Sequence, residues 1–238
     1  MKKENLLKKS LGEIVTEDFR SAALFKKAGL DFCCGGKKSL ESACAEKKQD
    51  PEYLVNQLLE LEKSGIDKGH NYGEWSPSFL SDYIVNTHHK YVTKTLPDLS
   101  FFTKKISDVH GERHKELYDV ADLFSKINNE LLQHLKNEET VLFPAIKQVQ
   151  ENNTPAIKTV ISSEIERMTG EHEFAGNAMD RIRELTGGYS VPSDACNTYA
   201  VTMKLLEEFE DDLHTHVHLE NNILYPAAMK LANGLNNK

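Results

Sequence analysis

The chain has 238 residues, of which 39% are hydrophobic and 28% charged, an ordinary globular balance that excludes collagen-like, extensively disordered and disulfide-scaffold classes. Lys and Arg number 29 against 37 Asp and Glu, and the resulting net charge of −8 argues against nucleic acid as a partner. The length suits one large domain, or one domain with a smaller companion. Cys33, Cys34, Cys44 and Cys196 form no regular disulfide framework and read as reduced thiols of the cytoplasm. The first residues lack the apolar segment of a signal peptide, and no run of 18 apolar residues occurs, so no membrane partner is expected.

Helical signals dominate and hairpin signals are missing, so the fold class is all-α. Phe19, Ala22, Ala23 and Phe25 mark a short helix stopped at Gly29, and further short helices fit Leu40 to Lys47 and Pro51 to Lys63. The stretch from Ser64 to Ser78 holds three glycines and a proline without a sustained period and reads as a connection. It divides a small helical N-terminal domain (1–66) from a larger domain (79–238) through a linker (67–78). Ser76 and Pro77 start a first long helix reaching about Leu96, and a second covers Leu117 to Gln150. Thr154 and Pro155 start a third, stopped at Gly187 and Gly188, and Ser193 opens a fourth reaching Lys230. Four long amphipathic helices with short connections predict an antiparallel four-helix bundle.

Two segments of this bundle repeat one another: Glu130-Leu-Leu-Gln-His134-Leu-Lys-Asn-Glu138-Glu-Thr-Val-Leu-Phe-Pro144 and Asp212-Leu-His-Thr-His216-Val-His-Leu-Glu220-Asn-Asn-Ile-Leu-Tyr-Pro226. Each sets His and Glu four residues apart, adjacent on one helix face, with Leu131 or Leu213 before and Val141 or Ile223 after on or near the same apolar stripe. One such pair alone is an ordinary solvated contact. Two copies in matching frames are not, because imidazole and carboxylate aimed at a core need partners. His172 stands 44 residues before His216 and His89 stands 45 before His134, each on the preceding helix. Bringing the halves together gathers His89, His134, Glu138, His172, His216 and Glu220, an inward-facing ligand set of the kind bundles use for dinuclear centres. Imidazole with carboxylate suits two iron ions. Roughly twelve coordination positions are then wanted, about eight come from four His and two bridging Glu, and an oxo or hydroxo bridge leaves about one open position per ion.

These residues resemble the hemerythrin-like di-iron proteins, and more narrowly the family named for repair of iron centres, the YtfE, ScdA and DnrN group. The CCGG motif of that family is similar to Cys33-Cys34-Gly35-Gly36 here; Glu171-His172-Glu173 with Ala175-Gly176, and His216 through Pro226, resemble its bundle segments. The resemblance covers nearly the whole chain. It implies a hemerythrin-like bundle in which the six residues bind two irons, with Glu138 and Glu220 bridging. The family usually has Tyr-His where this chain has His88-His89, and His89 is preferred because it keeps the spacing to Leu96-Pro97 and shares a face with Val85, Val92 and Leu96.

Cys33 and Cys34, too close for an unstrained bridge, read as redox-responsive or partner-contacting thiols, favoured as thiolate by the following glycine amides, Lys37 and Lys38. Cys44 and Cys196 read as structural. His110 and His114 are a weaker candidate for a second metal site, because Gly111 between them weakens the helix. His214 and His218 point away from the face of His216 and read as partly exposed, while Glu139, Glu171 and Glu173 read as solvated acids or partners of a ligand. The resemblance implies repair of iron-sulfur proteins damaged by nitrosative or oxidative stress, with iron donated from the dinuclear site. Two further readings are a nitric oxide reductase at the diferrous site and a dioxygen-binding or dioxygen-sensing protein. A homodimer stays open, and enzyme activity in the conventional sense is not specified.

Overall fold

The computed structural model describes residues 3–64 and 71–234, and among them the regular elements are helical, with no β-strand. The N-terminal unit opens with α1 (Lys3–Lys8) and α2 (Leu11–Glu17), which hydrophobic patterning did not announce. A local signal for α2 is present: Ser10 and Glu13 form a reciprocal capping box that satisfies two amides at the helix start. Then come α3 (Ser21–Ala28), α4 (Leu40–Lys47) and α5 (Pro51–Lys63). α3 stops at Gly29, whose φ of 67° is left-handed. Leu11, Val15, Phe25, Leu40 and Val55 are buried between these helices, in an apolar core continuous with that of the bundle.

The stretch read as a linker is anchored from Tyr72 onward. Tyr72 is buried in a short 3₁₀ turn, and its ring packs against Phe19, Trp75 and Tyr83 with centroids 4.9 to 5.8 Å apart. Residues 65–70 of that stretch, including His70, lie outside the described residues.

Four rods follow. The first joins α6 (Pro77–Ile84) to α7 (Lys90–His110) through a widened turn, π1 (Val85–His89). The second joins α8 (Glu116–Asn137) to α9 (Phe143–Glu151) through π2 (Glu138–Leu142), and α10 (Pro155–Leu185) is the third. The fourth joins α11 (Asn197–Leu219) to α12 (Tyr225–Ala232) through π3 (Glu220–Leu224). α7 packs on α8, α8 on α10, α10 on α11, and α11 back on α7, which closes an antiparallel bundle.

Three boundaries differ from the sequence expectation. α7 continues beyond Leu96 to His110, because Pro97 sits on the exposed face while Leu99, Thr103 and Ile106 extend the buried stripe. The fourth rod starts at Asn197, capped by Cys196, rather than at Ser193. The third difference is the π turns. Pro144 and Pro226 each stand six residues after a buried glutamate, and a proline has no N–H for the carbonyl four residues back and crowds it. A widened turn just ahead relieves both problems. Val141, expected near the inward face, is 39% exposed while Leu142 is buried, whereas Ile223, its counterpart in the second repeat, stays buried beside Leu224.

Below the π turns the bundle is filled by large apolar side chains, with Phe124 and Phe209 packed edge to face at 5.5 Å. Beside them Glu210, fully buried, takes the guanidinium of Arg183. Phe209→Ala removes a fully buried ring at the bundle centre and is expected to lower the unfolding free energy by about 3–5 kcal/mol. Urea denaturation followed by circular dichroism measures this; a loss under about 1 kcal/mol would show that the centre repacks freely.

Candidate metal centre

Each π turn carries a residue of the predicted ligand set at its boundary. π1 ends on His89, π2 begins on Glu138 and π3 begins on Glu220. Widened turns of this type recur at functional sites, where they reorient a side chain that a regular helix would aim elsewhere. His134 and His216 stand one turn earlier on α8 and α11, and His172 comes from the unbroken α10. All six side chains converge at one level of the bundle, and none is more than 2% exposed.

The contacts sort them into two groups that share both carboxylates. His89, Glu138, His216 and Glu220 hold ligand atoms within 4.8 Å of one another, and so do His134, Glu138, His172 and Glu220. His89 Nε2 and His134 Nε2 each lie 3.3 Å from Glu138 Oε2; His172 Nε2 is 3.2 Å from Glu220 Oε2 and His216 Nε2 is 3.0 Å from Glu220 Oε1. His134 and His172 approach to 3.1 Å between their Nε2 atoms. Every imidazole thus turns Nε2 inward.

For three of the four the outward nitrogen explains why, while His216 Nδ1 is buried without a hydrogen-bond partner among the described residues. His89 Nδ1 lies 2.8 Å from Glu139, His134 Nδ1 lies 2.7 Å from Glu171, and His172 Nδ1 lies 3.0 Å from Asn221. Oxygen acceptors on Nδ1 keep the proton there and leave the Nε2 lone pair facing the cluster, the orientation that metal-ligating histidines take. Glu171 is itself held by Arg167 at 3.0 Å. Tyr225 donates its hydroxyl to Glu138 Oε1 at 2.7 Å.

Electrostatics point the same way. Burial alone would raise Glu138, yet His134 and His89 hold its carboxyl well below the usual range. His134 moves oppositely: burial would lower it, but Glu138 and Glu171 lift it to about 10. Two buried carboxylates demand positive charge close by, as protons on imidazole or as cations. Glu138 Oε2, Glu220 Oε2 and His89 Nε2 are buried without a hydrogen-bond partner. Four nitrogens and two carboxylates, with bare donor atoms aimed at one another, fit a pair of transition-metal ions.

His88 takes another role. Its Nδ1 lies 2.9 Å from Asp212 and its ring stacks on His216 at 5.6 Å, so it packs beside the cluster while His89 enters it. His218, read as partly exposed, is fully buried, because Phe19 and Phe32 of the N-terminal unit cover it. His110 and His114 part company, the first meeting Cys196 and the second Asp194. The sequence reading gave Asp212, Asn221 and Tyr225 no role, although all three lie inside the second repeat.

The CCGG turn sits directly over this end of the bundle. Asp31 accepts the amides of Cys33, Cys34 and Gly35 at 2.7 to 3.0 Å and shapes the turn. Asn222, inside π3, donates to the carbonyls of Phe32 and Cys33, and a Cβ at Gly36 would lie 2.5 Å from Asn222 Oδ1. The turn is thereby tied to the segment that carries Glu220. Cys34 Sγ lies 3.5 Å from the carbonyl of His172. The expected thiolate does not hold for Cys33: its contact with Cys34, burial and Asp31 push the thiol well up, and Lys38 is engaged with Glu46 instead. Beside the turn opens a cleft of about 470 Å³ lined by Lys26, Asp31, Cys34, Glu173, Arg183 and His214.

Comparison with known proteins bears on the same two regions. Residues 81–228 match the hemerythrin HHE cation binding domain, and residues 7–62 match a domain of unknown function, DUF542. The iron-sulfur cluster repair protein YtfE of Pectobacterium atrosepticum is 36% identical over 224 residues, covering 93% of this chain and 96% of the relative. The protein ScdA of Staphylococcus haemolyticus, also named for iron-sulfur cluster repair, is 33% identical over 220 residues, 90% of this chain and 95% of its own.

Glu171→Ala removes the acceptor that orients His134 while sparing all six inward side chains. Ferrous iron affinity, measured by competition with a chelator, is expected to fall about 10- to 100-fold, as loss of such partners does. The exposed Glu173→Ala should leave it unchanged. Equal affinity in Glu171→Ala would show that the histidines need no support.

Proposed function

Because this chain belongs to the hemerythrin-type family of iron-sulfur cluster repair proteins, we propose that it repairs damaged iron-sulfur clusters by donating iron held between Glu138 and Glu220. The observation that carries this reading is the sharing of both carboxylates by two groups of ligand atoms, with the CCGG turn seated above them. Two irons per chain are the cargo. His89 and His216 would hold one and His134 and His172 the other, with Glu138 and Glu220 bridging. Iron supplies the damaged cluster with the metal it has lost.

The side chains carry out the rest. Glu139, Glu171 and Asn221 keep the imidazole lone pairs inward, so the site recovers its geometry after release. Tyr225, with its hydroxyl pushed far up by burial and by Glu138, stays a phenol and keeps donating to that carboxylate. The six residues are shut off from water except through their surroundings, and the cleft at Cys34 adjoins the α10 turn that carries His172. That cleft, with its mixed charge and half-buried thiol, is where a client carrying a damaged cluster would dock. The damage itself would come from nitric oxide or oxidants in the cytoplasm. No helix among the described residues is long and apolar enough to cross a membrane.

The test uses a hydratase whose cluster has been broken by nitric oxide, kept with a chelator that holds free ferrous iron low. Iron-loaded protein is expected to restore activity, and the Glu138→Ala, Glu220→Ala double variant is expected to fail. Equal recovery from the same amount of free ferrous iron under the same chelator would overturn the proposal.

A further inference from the structure

Far from the cluster, a cysteine and a histidine meet that the metal centre does not use. Cys196 is exposed at the start of α11, and its sulfur lies 3.2 Å from Nε2 of His110, the last residue of α7. Along α11 the separation of Cys196 from His216 amounts to about 30 Å at 1.5 Å per residue. The pair therefore stands at the opposite end of the bundle.

His110 is buried, with the Tyr199 ring edge-on at 5.5 Å, and its Nδ1 has no hydrogen-bond partner among the described residues. A proton on Nδ1 would be a buried donor with no acceptor, so the neutral ring keeps its proton on Nε2, aimed at the sulfur. The sulfur is then the acceptor, a role thiolate fills better than thiol. The amides of Tyr199 and Thr198 at the start of α11, together with the His110 ring, pull the thiol down to about 7. Of the carboxylates at this end of the bundle, Asp194 is engaged by His114 at 3.0 Å and Arg113 at 3.2 Å, and Glu116 lies 3.3 Å from His114. All four cysteines are unpaired, so a sulfur partner for Cys196 comes from outside the chain.

We propose that Cys196 and His110 form a reactive thiolate–imidazole pair that accepts a low-molecular-weight thiol in mixed-disulfide linkage. The site is independent of the iron reading above. In the step, the Cys196 thiolate attacks one sulfur of a small symmetric disulfide. A bond forms between Sγ and that sulfur as the original S–S bond breaks, and the second sulfur departs with the bonding pair as a thiolate, then takes a proton from water. Cys196 is oxidised and the departing thiol is reduced, so the exchange needs no further oxidant. Its reversal by excess thiol restores the pair.

The full-length protein is pulsed with iodoacetamide across a pH series, native and in urea, and alkylation is read at each cysteine by peptide mass mapping. Native Cys196 is expected to react with a half-maximal rate near pH 7, and the unfolded chain near the ordinary thiol value of about 8.5. Oxidised glutathione at pH 7 should add one glutathionyl group at Cys196 faster in the native protein than in urea. His110→Gln should slow that addition and move the alkylation profile upward. A native profile matching that in urea, or addition at Cys196 no faster than in urea, would overturn the proposal without reference to any variant.

Discussion

Glu138 and Glu220, buried at one level of the bundle without any exposure, are the constraint around which this molecule is arranged. A carboxylate removed from water keeps its charge only where positive charge or hydrogen-bond donors replace the lost hydration. Glu138 and Glu220 lie opposite one another with four imidazoles around them and the Tyr225 hydroxyl on one oxygen. Those donors do not satisfy every oxygen, so the site stays short of positive charge in a way that divalent cations relieve. The outward partners of three histidines, the three widened turns and the prolines just beyond two of them all go with holding six polar side chains inward at one level.

The same requirement shapes the junction between the two halves of the chain. Asn222 follows Glu220 within π3 and binds carbonyls of the CCGG turn, so one widened turn supplies both a cluster residue and the anchor for the thiols. Gly36 is needed because any side chain there would strike that anchor. Phe19 and Phe32 seal the back of the same segment by covering His218. The thiol motif is thus seated on the segment that carries Glu220.

The bundle was legible because apolar periodicity and capping residues act locally. Ser76, Thr154 and the paired glycines at 187 and 188 each mark a boundary through a single hydrogen bond or backbone angle. The cluster residues were legible because the repeat shows them twice. Less could be read where an outcome depends on packing between distant segments. The burial of His218 depends on the N-terminal unit and the bundle coming together, and no short-range pattern encodes that contact. The π turns lay between these cases. The proline six residues after each glutamate carries the signal, but a pattern search tuned to the regular helical period reads through it. Cys196 looked inert for a related reason, since its partner His110 stands 86 positions earlier in the chain.

The proposed repair chemistry stands or falls on whether Glu138 and Glu220 together hold a pair of irons. Metal analysis with Mössbauer spectroscopy, on anaerobically purified protein and on the Glu138→Ala, Glu220→Ala double variant that retains all four histidines, tests it most directly. Two irons per chain with a magnetically coupled signal after oxidation are expected, with loss of both irons and coupling in the variant. One uncoupled iron, or an iron content that survives removal of both glutamates, would contradict it.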